Sequence, residues 1–369
     1  MFDKLFKKKS AHEQTDIERR FNLIGRVGQG SMSRVWKATD LKTGRTVALK
    51  VLDKEKTERF EARFRGLNKP HEGEIATSLH HSSIAETTEF GWTTEDEMFL
   101  VMDFIEGVSL SLLVDLQNDE MKRFRLRYMI QIGEALSYLH AQNWIHRDIC
   151  PRNVMISEDK CVKLIDFGLV VPNQPEFRKP GNRTGTAAYM APELIKRQYT
   201  DQRLDIFSYA VTCFEMYTKR FPWDAALTLD AVLQHMNQPP EEITQFVPGI
   251  DSQIARAIMK GLAANPDERW QSAADMVAVF REAEARLVKM AREAAAKNRA
   301  LAPPPAQPAA PKLPPASQPM PAEQQGSAAD DTDSPQPAAG KPGKRPPGKG
   351  RKRRRPDDDI DLTAMFAED

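Results

Sequence analysis

The chain has 369 residues, of which 40% are hydrophobic and 28% are charged, and its formal net charge at pH 7 is +1. This length is ample for a large hydrophobic core, and no apolar run approaches the roughly eighteen residues that a membrane span needs. The cysteines, Cys150, Cys161 and Cys213, are odd in number and scattered, which excludes a disulfide framework and a zinc-binding spacing. A cytoplasmic, reducing location is therefore expected.

Residues 1–20 are predicted to form a basic N-terminal extension. The first nine residues include four lysines and lack the apolar stretch of a signal peptide. Contact with an anionic membrane surface is one interpretation of this segment, and a solvated tail is the more common one.

A short glycine-containing segment follows between Val27 and Val35. Gly28 and Gly30 would allow backbone N–H groups to approach phosphate oxygens closely, and Ser33 stands where a third glycine is usual. An ordinary hairpin turn is the alternative for two glycines alone.

The next apolar run, Thr46–Leu52, is predicted to be a buried strand that a single charged residue, Lys50, interrupts. A buried lysine requires a partner. The functional interpretation is a lysine that binds phosphates and a helical glutamate, and the alternative is an edge-strand lysine whose ammonium reaches solvent.

The helical partner of that lysine is predicted to be Glu72, with Glu74 as the alternative. Ile75, Ala76 and Leu79 follow at helical spacing. Gly73 inside this helix costs about 1 kcal/mol relative to alanine, so the helix is expected to be loose without ligand.

Two motifs then carry the chemistry. His146-Arg147-Asp148 is followed by Asn153, and Asp166-Phe167-Gly168 comes shortly after. Asp148 is the candidate carboxylate for a substrate hydroxyl, while Asn153 and Asp166 are hard oxygen donors that suit Mg²⁺. A structural turn is the alternative for each residue alone.

Taken together, these motifs resemble those of eukaryotic-like bacterial serine/threonine protein kinases over about residues 21–285. The resemblance implies an α+β fold of two lobes, with a β-rich N-lobe (21–105) that carries one main helix and a helical C-lobe (106–285). It also implies ATP and Mg²⁺ or Mn²⁺ between the lobes, and protein substrates. Further motifs support it: Val47-Ala48-Leu49-Lys50, Gly185–Glu193, Asp205–Ser208 and Asn265–Arg269.

The resemblance also assigns residues that spacing alone does not. Met102 falls at the gatekeeper position, and Asp103 and Ile105 fall at the hinge that holds adenine. Asp205 would brace the catalytic loop, and Glu193 would pair with Arg269. The residues expected to enclose the adenine ring are Val27, Val35, Ala48 and Met155.

Position 150 departs from the family pattern, because a serine/threonine kinase normally has lysine there and this chain has Cys150. A neutral thiol supplies no charge to the γ-phosphate, and losing such a contact costs about 10²–10³ in rate. Arg152 is the candidate replacement cation. Cys150 is either a redox-sensitive site or a small tolerated side chain, while Thr186 favours a serine/threonine kinase over a tyrosine kinase.

The loop after Asp166-Phe167-Gly168 is the second departure. Arg147 could bind the phosphate group of a phosphorylated loop, yet residues 169–183 contain no Ser, Thr or Tyr. Thr184 is the remaining candidate, close to the substrate-side Thr186. Activation by loop phosphorylation is therefore expected to be absent.

The last part of the chain changes composition. Residues 271–300 are predicted to be a long helix, with 286–300 extending beyond the kinase domain, and residues 301–369 hold fifteen of the 26 prolines and are predicted to be disordered. The block 341–355 carries nine Lys or Arg and is a candidate for binding nucleic acid or an acidic partner, or else is a solubilising tail. The acidic terminus, with Leu362, Met365 and Phe366, is a candidate docking peptide.

Two other functions compete with an active protein kinase. A pseudokinase-like scaffold that binds ATP and recruits partners through its tail would explain Cys150, Ser33 and the loop without phosphate acceptors. A small-molecule phosphotransferase is the other possibility, against which the groove-forming segment Gly185–Glu193 argues.

Overall fold

The computed structural model describes residues 14–29, 32–179, 184–223 and 238–301. Gly30 of the glycine segment, residues 1–13 and the tail with its basic block 341–355 lie outside these ranges. Within the described ranges, no helix combines the length and the apolar character that crossing a membrane requires.

The N-lobe is built on a six-stranded sheet, in the spatial order β1-β5-β6-β4-β3-β2. Neighbouring strands are antiparallel except for β1 and β5, which run parallel. The strands are β1 (Gln14–Thr15), β2 (Phe21–Gln29), β3 (Ser33–Asp40), β4 (Thr46–Leu52), β5 (Thr87–Thr93) and β6 (Met98–Asp103). Its helices are α1 (Ile17–Arg20), α2 (Lys54–Glu61) and α3 (Glu72–Ser78).

Residues 14–20, which the sequence assigned to the N-terminal extension, hydrogen-bond to this sheet. Arg20 fixes them in place, because its guanidinium donates to both oxygens of Glu89 at 2.6 and 2.7 Å and also reaches Asp40. The next residue, Phe21, is buried edge-to-face against Phe99. Residues 14–20 are therefore held against the N-lobe sheet.

The C-lobe is mainly helical. Its strands are β7 (Gly107–Ser109), β8 (Trp144–Ile145), β9 (Val154–Ser157), β10 (Val162–Leu164) and β11 (Val171–Pro172). Its helices are α4 (Leu110–Leu116), α5 (Asp119–Ala141), α6 (Pro192–Ile195), α7 (Arg203–Thr218), α8 (Ile243–Phe246), α9 (Ser252–Gly261) and α10 (Ala273–Leu301). The last helix agrees closely with the helix predicted over 271–300.

Helix α7 is the central element of the C-lobe, because it is apolar around most of its circumference and its first three turns are almost entirely buried. Helices α5 and α9 pack against it. The hydrophobic core continues through Ile149 and Phe167 into the N-lobe, where it includes Ile75 and Leu100. The two lobes therefore share a core directly behind the segments that carry the predicted site.

A buried ion pair closes the far side of the C-lobe. Arg269 donates to both carboxylate oxygens of Glu193 at 2.7 Å, and their side chains are 0% and 4% exposed. The remaining guanidinium N–H groups donate to the carbonyls of Ala263, Ala264 and Arg203. The pairing that the family resemblance implied is present in the structure.

Candidate active site

Three charged side chains meet between the lobes. Lys50 Nζ lies 2.6 Å from Glu72 Oε1 and 2.8 Å from Asp166 Oδ1. Burial lowers the pKa of Lys50, but the charges of Asp166 and Glu72 outweigh burial and raise it overall. The ammonium therefore stays charged at neutral pH, although its side chain is only 6% exposed.

The structure separates the two candidate partners of Lys50. Glu72, the first residue of α3, faces the ammonium, whereas Glu74 caps the helix by accepting a hydrogen bond from the backbone N–H of His71 at 2.9 Å. This hydrogen bond provides a partner for a backbone N–H at the start of the helix. The two glutamates therefore have different roles although they are only two residues apart.

Gly73 allows this helix to approach the sheet closely. A Cβ added at Gly73 would lie 2.4 Å from Cγ of Phe90 on β5, which is far inside van der Waals contact. The expected looseness of this helix rested on intrinsic helix propensity alone. The contact with Phe90 is a packing reason for glycine that propensity does not contain.

Gly73→Ala is expected to destabilise the protein by about 1–3 kcal/mol, because the new methyl group overpacks the contact with Phe90. Helix propensity alone predicts the opposite sign, a gain of about 1 kcal/mol. Thermal unfolding of both proteins measures the difference. Gly249→Ala is the matched control, because its Cβ would meet no atom within 4 Å, and a stabilised Gly73→Ala variant would contradict this account.

The catalytic-loop carboxylate of Asp148 is held from two sides. Its Oδ2 accepts a hydrogen bond from Asn153 Nδ2 at 2.8 Å, and its Oδ1 accepts one from the backbone N–H of Thr186 at 2.7 Å. Asn153 also donates to the carbonyl of Asp148 at 2.8 Å. Asn153 therefore uses its amide nitrogen on the loop, and its amide oxygen is the atom suited to a metal ion.

Helix α7 holds the start of this loop through the buried Asp205. Its carboxylate accepts hydrogen bonds from the backbone N–H groups of His146 at 2.8 Å and Arg147 at 2.7 Å. It also lies 2.9 Å from Nε2 of His140. Arg147 has a left-handed φ of 72°, a strained conformation that such bonds stabilise.

The second metal-binding candidate, Asp166, is held in a left-handed conformation with φ of 69°. Its Oδ1 accepts from the backbone N–H of Gly168 at 3.2 Å in addition to Lys50. Phe167 is 3% exposed and packs edge-to-face on His146. The buried phenylalanine thus points into the core while the carboxylate faces the cleft between the lobes.

Cys150 is 1% exposed, and its Sγ lies 3.9 Å from Thr186 Oγ1. Burial, assisted by the charge of Asp148, raises the pKa of the thiol to about 12. The exposed Arg152 reaches the same hydroxyl, with Nη2 at 3.3 Å from Thr186 Oγ1. The thiol is therefore neutral, and Arg152 brings a cation to the hydroxyl of Thr186.

Cys150 is expected to react with iodoacetamide at least about tenfold more slowly than Cys161 at pH 8, because a pKa near 12 leaves a thiolate fraction on the order of 10⁻⁴. Cys161 is only partly buried, and the buried Cys213 serves as the internal control for slow labelling. Peptide mapping over a time course measures all three rates. Labelling of Cys150 as fast as that of Cys161 would instead support a redox-sensitive site.

Most of the predicted adenine-binding residues lie on neighbouring strands of the N-lobe sheet. Val35 pairs with Gly28 on one side and with Lys50 on the other, and Ala48 pairs with Met102. The remaining residues of this group are Val27, which is 55% exposed on β2, Asp103 at the end of β6, Ile105 in the loop that follows, and Met155 on β9.

One pair near the site was missed by the sequence reasoning. Tyr189 donates its hydroxyl to Glu215 Oε2 at 2.5 Å, below the catalytic loop. Burial raises the pKa of Glu215 to about 7, although the bond from Tyr189 opposes the rise. The available signal was Glu215 itself, an acidic residue late in the mainly apolar helix α7.

The protein kinase domain family matches this chain over residues 21–279. The chain therefore belongs to the protein kinase family, and its β-rich N-lobe and helical C-lobe have the two-lobed architecture that the resemblance implied.

Bacterial proteins are among the relatives of this chain. The probable serine/threonine-protein kinase SCO3848 of Streptomyces coelicolor is 31% identical over 265 residues, which is 70% of this chain and 39% of that protein. Serine/threonine-protein kinase PknB of Mycobacterium leprae is 30% identical over 264 residues, 70% of this chain and 42% of that protein. Serine/threonine-protein kinase PrkC of Bacillus subtilis is 27% identical over 270 residues, which is 72% of this chain and 41% of that protein. The chain thus spans about two fifths of the length of these relatives.

Proposed function

We propose that this protein is a serine/threonine protein kinase that transfers the γ-phosphate of ATP to hydroxyl groups of protein substrates. The observation that carries the proposal is the joint arrangement of Lys50, paired with Glu72 and Asp166, and of Asp148, oriented by Asn153 and Thr186. Phosphoryl transfer depends on positioning and charge stabilisation more than on covalent chemistry. The names of the bacterial relatives support the same activity.

In this mechanism Lys50 and the backbone of the glycine segment hold the phosphates of ATP. Asp148 orients the substrate hydroxyl and accepts its proton while the hydroxyl oxygen bonds to the γ-phosphorus and the bond to the leaving oxygen of ADP breaks. The amide oxygen of Asn153 and the carboxylate of Asp166 fit Mg²⁺ or Mn²⁺, since both are hard oxygen donors. The metal would neutralise charge on the phosphates.

We also propose that Cys150 makes the enzyme slower than a kinase with lysine at this position, and that Arg152 supplies part of the missing charge. The contact of Arg152 with Thr186, 3.3 Å from a hydroxyl beside Asp148, supports this role. The loss of a charge-stabilising contact costs about 10²–10³ in rate, so a partial replacement leaves measurable activity.

The further assignments remain proposals. Thr186 is proposed to face the substrate. Thr184 is the one candidate for modification that follows residues 169–183, but its side chain is only 8% exposed, and activity is proposed not to depend on its phosphorylation. The kinase domain is proposed to cover residues 21–285, with a helical extension over 286–300. A cytoplasmic location agrees with the free state of the three cysteines, and the basic block 341–355 is proposed to bind nucleic acid or an acidic partner.

The test is transfer of labelled γ-phosphate by the purified chain with Mg²⁺ or Mn²⁺, followed by mapping of phosphosites. Label on Ser or Thr that disappears in Asp166→Asn is expected. Cys150→Lys is expected to be faster than wild type, and Arg152→Ala slower. Label that persists in Asp166→Asn would indicate a contaminating kinase.

The alternative is a scaffold that binds ATP without transferring phosphate, which the buried and neutral Cys150 favours. Measurable ATP binding with no label on any protein, and no gain in Cys150→Lys, would favour the scaffold over the kinase. Label on a small metabolite instead of protein would indicate a small-molecule phosphotransferase.

A further inference from the structure

The activation segment, residues 166–193, has no place for a regulatory phosphate in its first half. Residues 169–183 contain no Ser, Thr or Tyr. The next hydroxyl, Oγ1 of Thr184, is buried without a hydrogen-bond partner among the described residues. A phosphate on Thr184 would have to occupy a place that the surrounding chain already fills. The described part of the segment is nevertheless ordered by other contacts.

Polar contacts fix residues 171–178 to the C-lobe. Strand β11 pairs with β8, and the backbone N–H of Asn173 donates to the carbonyl of Asn143 at 2.7 Å. Arg178 Nε donates to Asn173 Oδ1 at 2.8 Å, and the carbonyl of Arg178 accepts from the backbone N–H of Thr200 at 3.0 Å. These bonds hold the backbone so that one side chain of this stretch, the one that directly precedes Arg178, points toward the N-lobe.

That side chain is Phe177, which is 7% exposed and lies 5.9 Å, ring centroid to ring centroid, from Phe64 of the N-lobe. Phe64 in turn packs edge-to-face on Phe60 at 5.4 Å. The ammonium of Lys69 lies 5.5 Å from the ring of Phe60 and 5.8 Å from the ring of Phe64, a cation–π arrangement. We call Phe60, Phe64 and Phe177 the aromatic stack.

The aromatic stack is tied to the helix that carries Glu72. Phe60 and Glu61 are the last two residues of α2, and Oε1 of Glu61 lies 3.1 Å from Nδ1 of His71. His71 is the residue that immediately precedes α3. Phe60 and Phe64 also belong to the core that contains Ile75 of α3. A displacement of the stack would therefore reach the Lys50–Glu72 pair through packed side chains.

We propose that the aromatic stack holds the activation segment against the N-lobe and positions α3 for catalysis, in place of a phosphorylated side chain. Buried aromatic contacts supply the attachment between lobes that a phosphate bound by cations would otherwise supply. Phe60, Phe64 and Phe177 are positioning residues, because they act on Glu72 and on the substrate-side loop and not on ATP. The inference rests on the proposed kinase function for its activity readout only.

The experiment uses the full chain and the variants Phe64→Ala, Phe177→Ala and the double variant, with Phe64→Leu and Phe177→Leu as conservative replacements. Phe246→Ala is the matched control, since it removes a comparable ring contact, 6.0 Å to Phe214, elsewhere in the C-lobe. The steady-state rate with a generic protein substrate is measured before and after treatment with a broad-specificity phosphatase. Hydrogen exchange followed by mass spectrometry reports on residues 72–78 and 171–179.

We expect phosphatase treatment to leave the wild-type rate unchanged. Each alanine variant is expected to lower kcat at least about tenfold with little change in the KM for ATP. The reason is that misplaced catalytic groups slow the chemical step more than they weaken the binding of ATP. The double variant is expected to lose less than the product of the two single losses, since both single changes remove the same Phe64–Phe177 contact. The leucine variants should recover most of the rate, and exchange should rise in both segments only for the alanine variants of the stack.

Three outcomes would overturn the proposal: a wild-type rate that falls on dephosphorylation, full additivity of the two alanine variants, or unchanged exchange in Phe64→Ala. If wild type transfers no phosphate at all, the kinase function fails, and hydrogen exchange still decides whether the stack holds the two segments. If one alanine variant does not fold, the other is used in its place, since either change removes the Phe64–Phe177 contact.

Discussion

Lys50→Met is expected to lower the rate of phosphoryl transfer by at least about 10²–10³-fold, the scale on which removal of one electrostatic contact to a reacting group acts. Methionine preserves most of the side-chain volume and removes the charge. Glu72 and Asp166, both within 3 Å of the ammonium in the wild type, would then face each other without a cation between them. Their repulsion would displace α3 as well as remove the phosphate contact.

The measurement is single-turnover transfer of labelled phosphate, with ATP affinity measured by calorimetry. Lys54→Met is the matched control, because Lys54 pairs with Asp96 at 2.8 Å on the surface of the same lobe. The rate of that variant should remain unchanged. A Lys50→Met variant that retains most of the wild-type rate would show that the Lys50–Glu72–Asp166 arrangement is not the catalytic one.

Arg269→Met is expected to lower the free energy of unfolding by about 3–5 kcal/mol, because it leaves the carboxylate of Glu193 buried without its cation. The same change frees the carbonyls of Ala263, Ala264 and Arg203 from their donor. A loss of this size is a large fraction of the roughly 5–15 kcal/mol that stabilises a typical domain. The variant should therefore be near its unfolding midpoint at moderate temperature.

Urea denaturation followed by tryptophan fluorescence measures the change. Arg281→Met is the control. Arg281 forms an ion pair with Glu134 near the surface, where the two side chains are 63% and 28% exposed, respectively. Exposed pairs contribute at most about 1 kcal/mol. Equal losses for the two variants would mean that burial of the Arg269–Glu193 pair does not decide its contribution.

Local sequence motifs predicted the family and the two-lobed fold, and the family match over residues 21–279 confirmed both. The reason is that phosphoryl transfer imposes fixed residue types at short spacings, as in His146-Arg147-Asp148 with Asn153. The choice between Glu72 and Glu74 was different. Both lie near the start of one helix, and only the direction of that helix relative to β4 decides which carboxylate reaches Lys50.

Residues far apart in sequence were predicted least well. The cost of Gly73 depended on Phe90, seventeen positions later, and no helix propensity contains that contact. The attachment of residues 14–20 to the N-lobe sheet has a similar cause, since Arg20 finds its carboxylate partners at positions 40 and 89. In each case the structural role of a residue depends on a neighbour that is distant in the sequence.

The sequence by itself determined the class of protein and the absence of phosphate acceptors from residues 169–183, and it supplied the candidate groups for binding ATP, because these are statements about which residues are present. Only the tertiary structure decided that Cys150 is buried and neutral while Arg152 reaches Thr186. Only the structure brought Phe177 onto Phe64, across more than one hundred residues. Burial and long-range contact arise when the chain closes on itself, and they set the charge and position of groups that the sequence merely supplies.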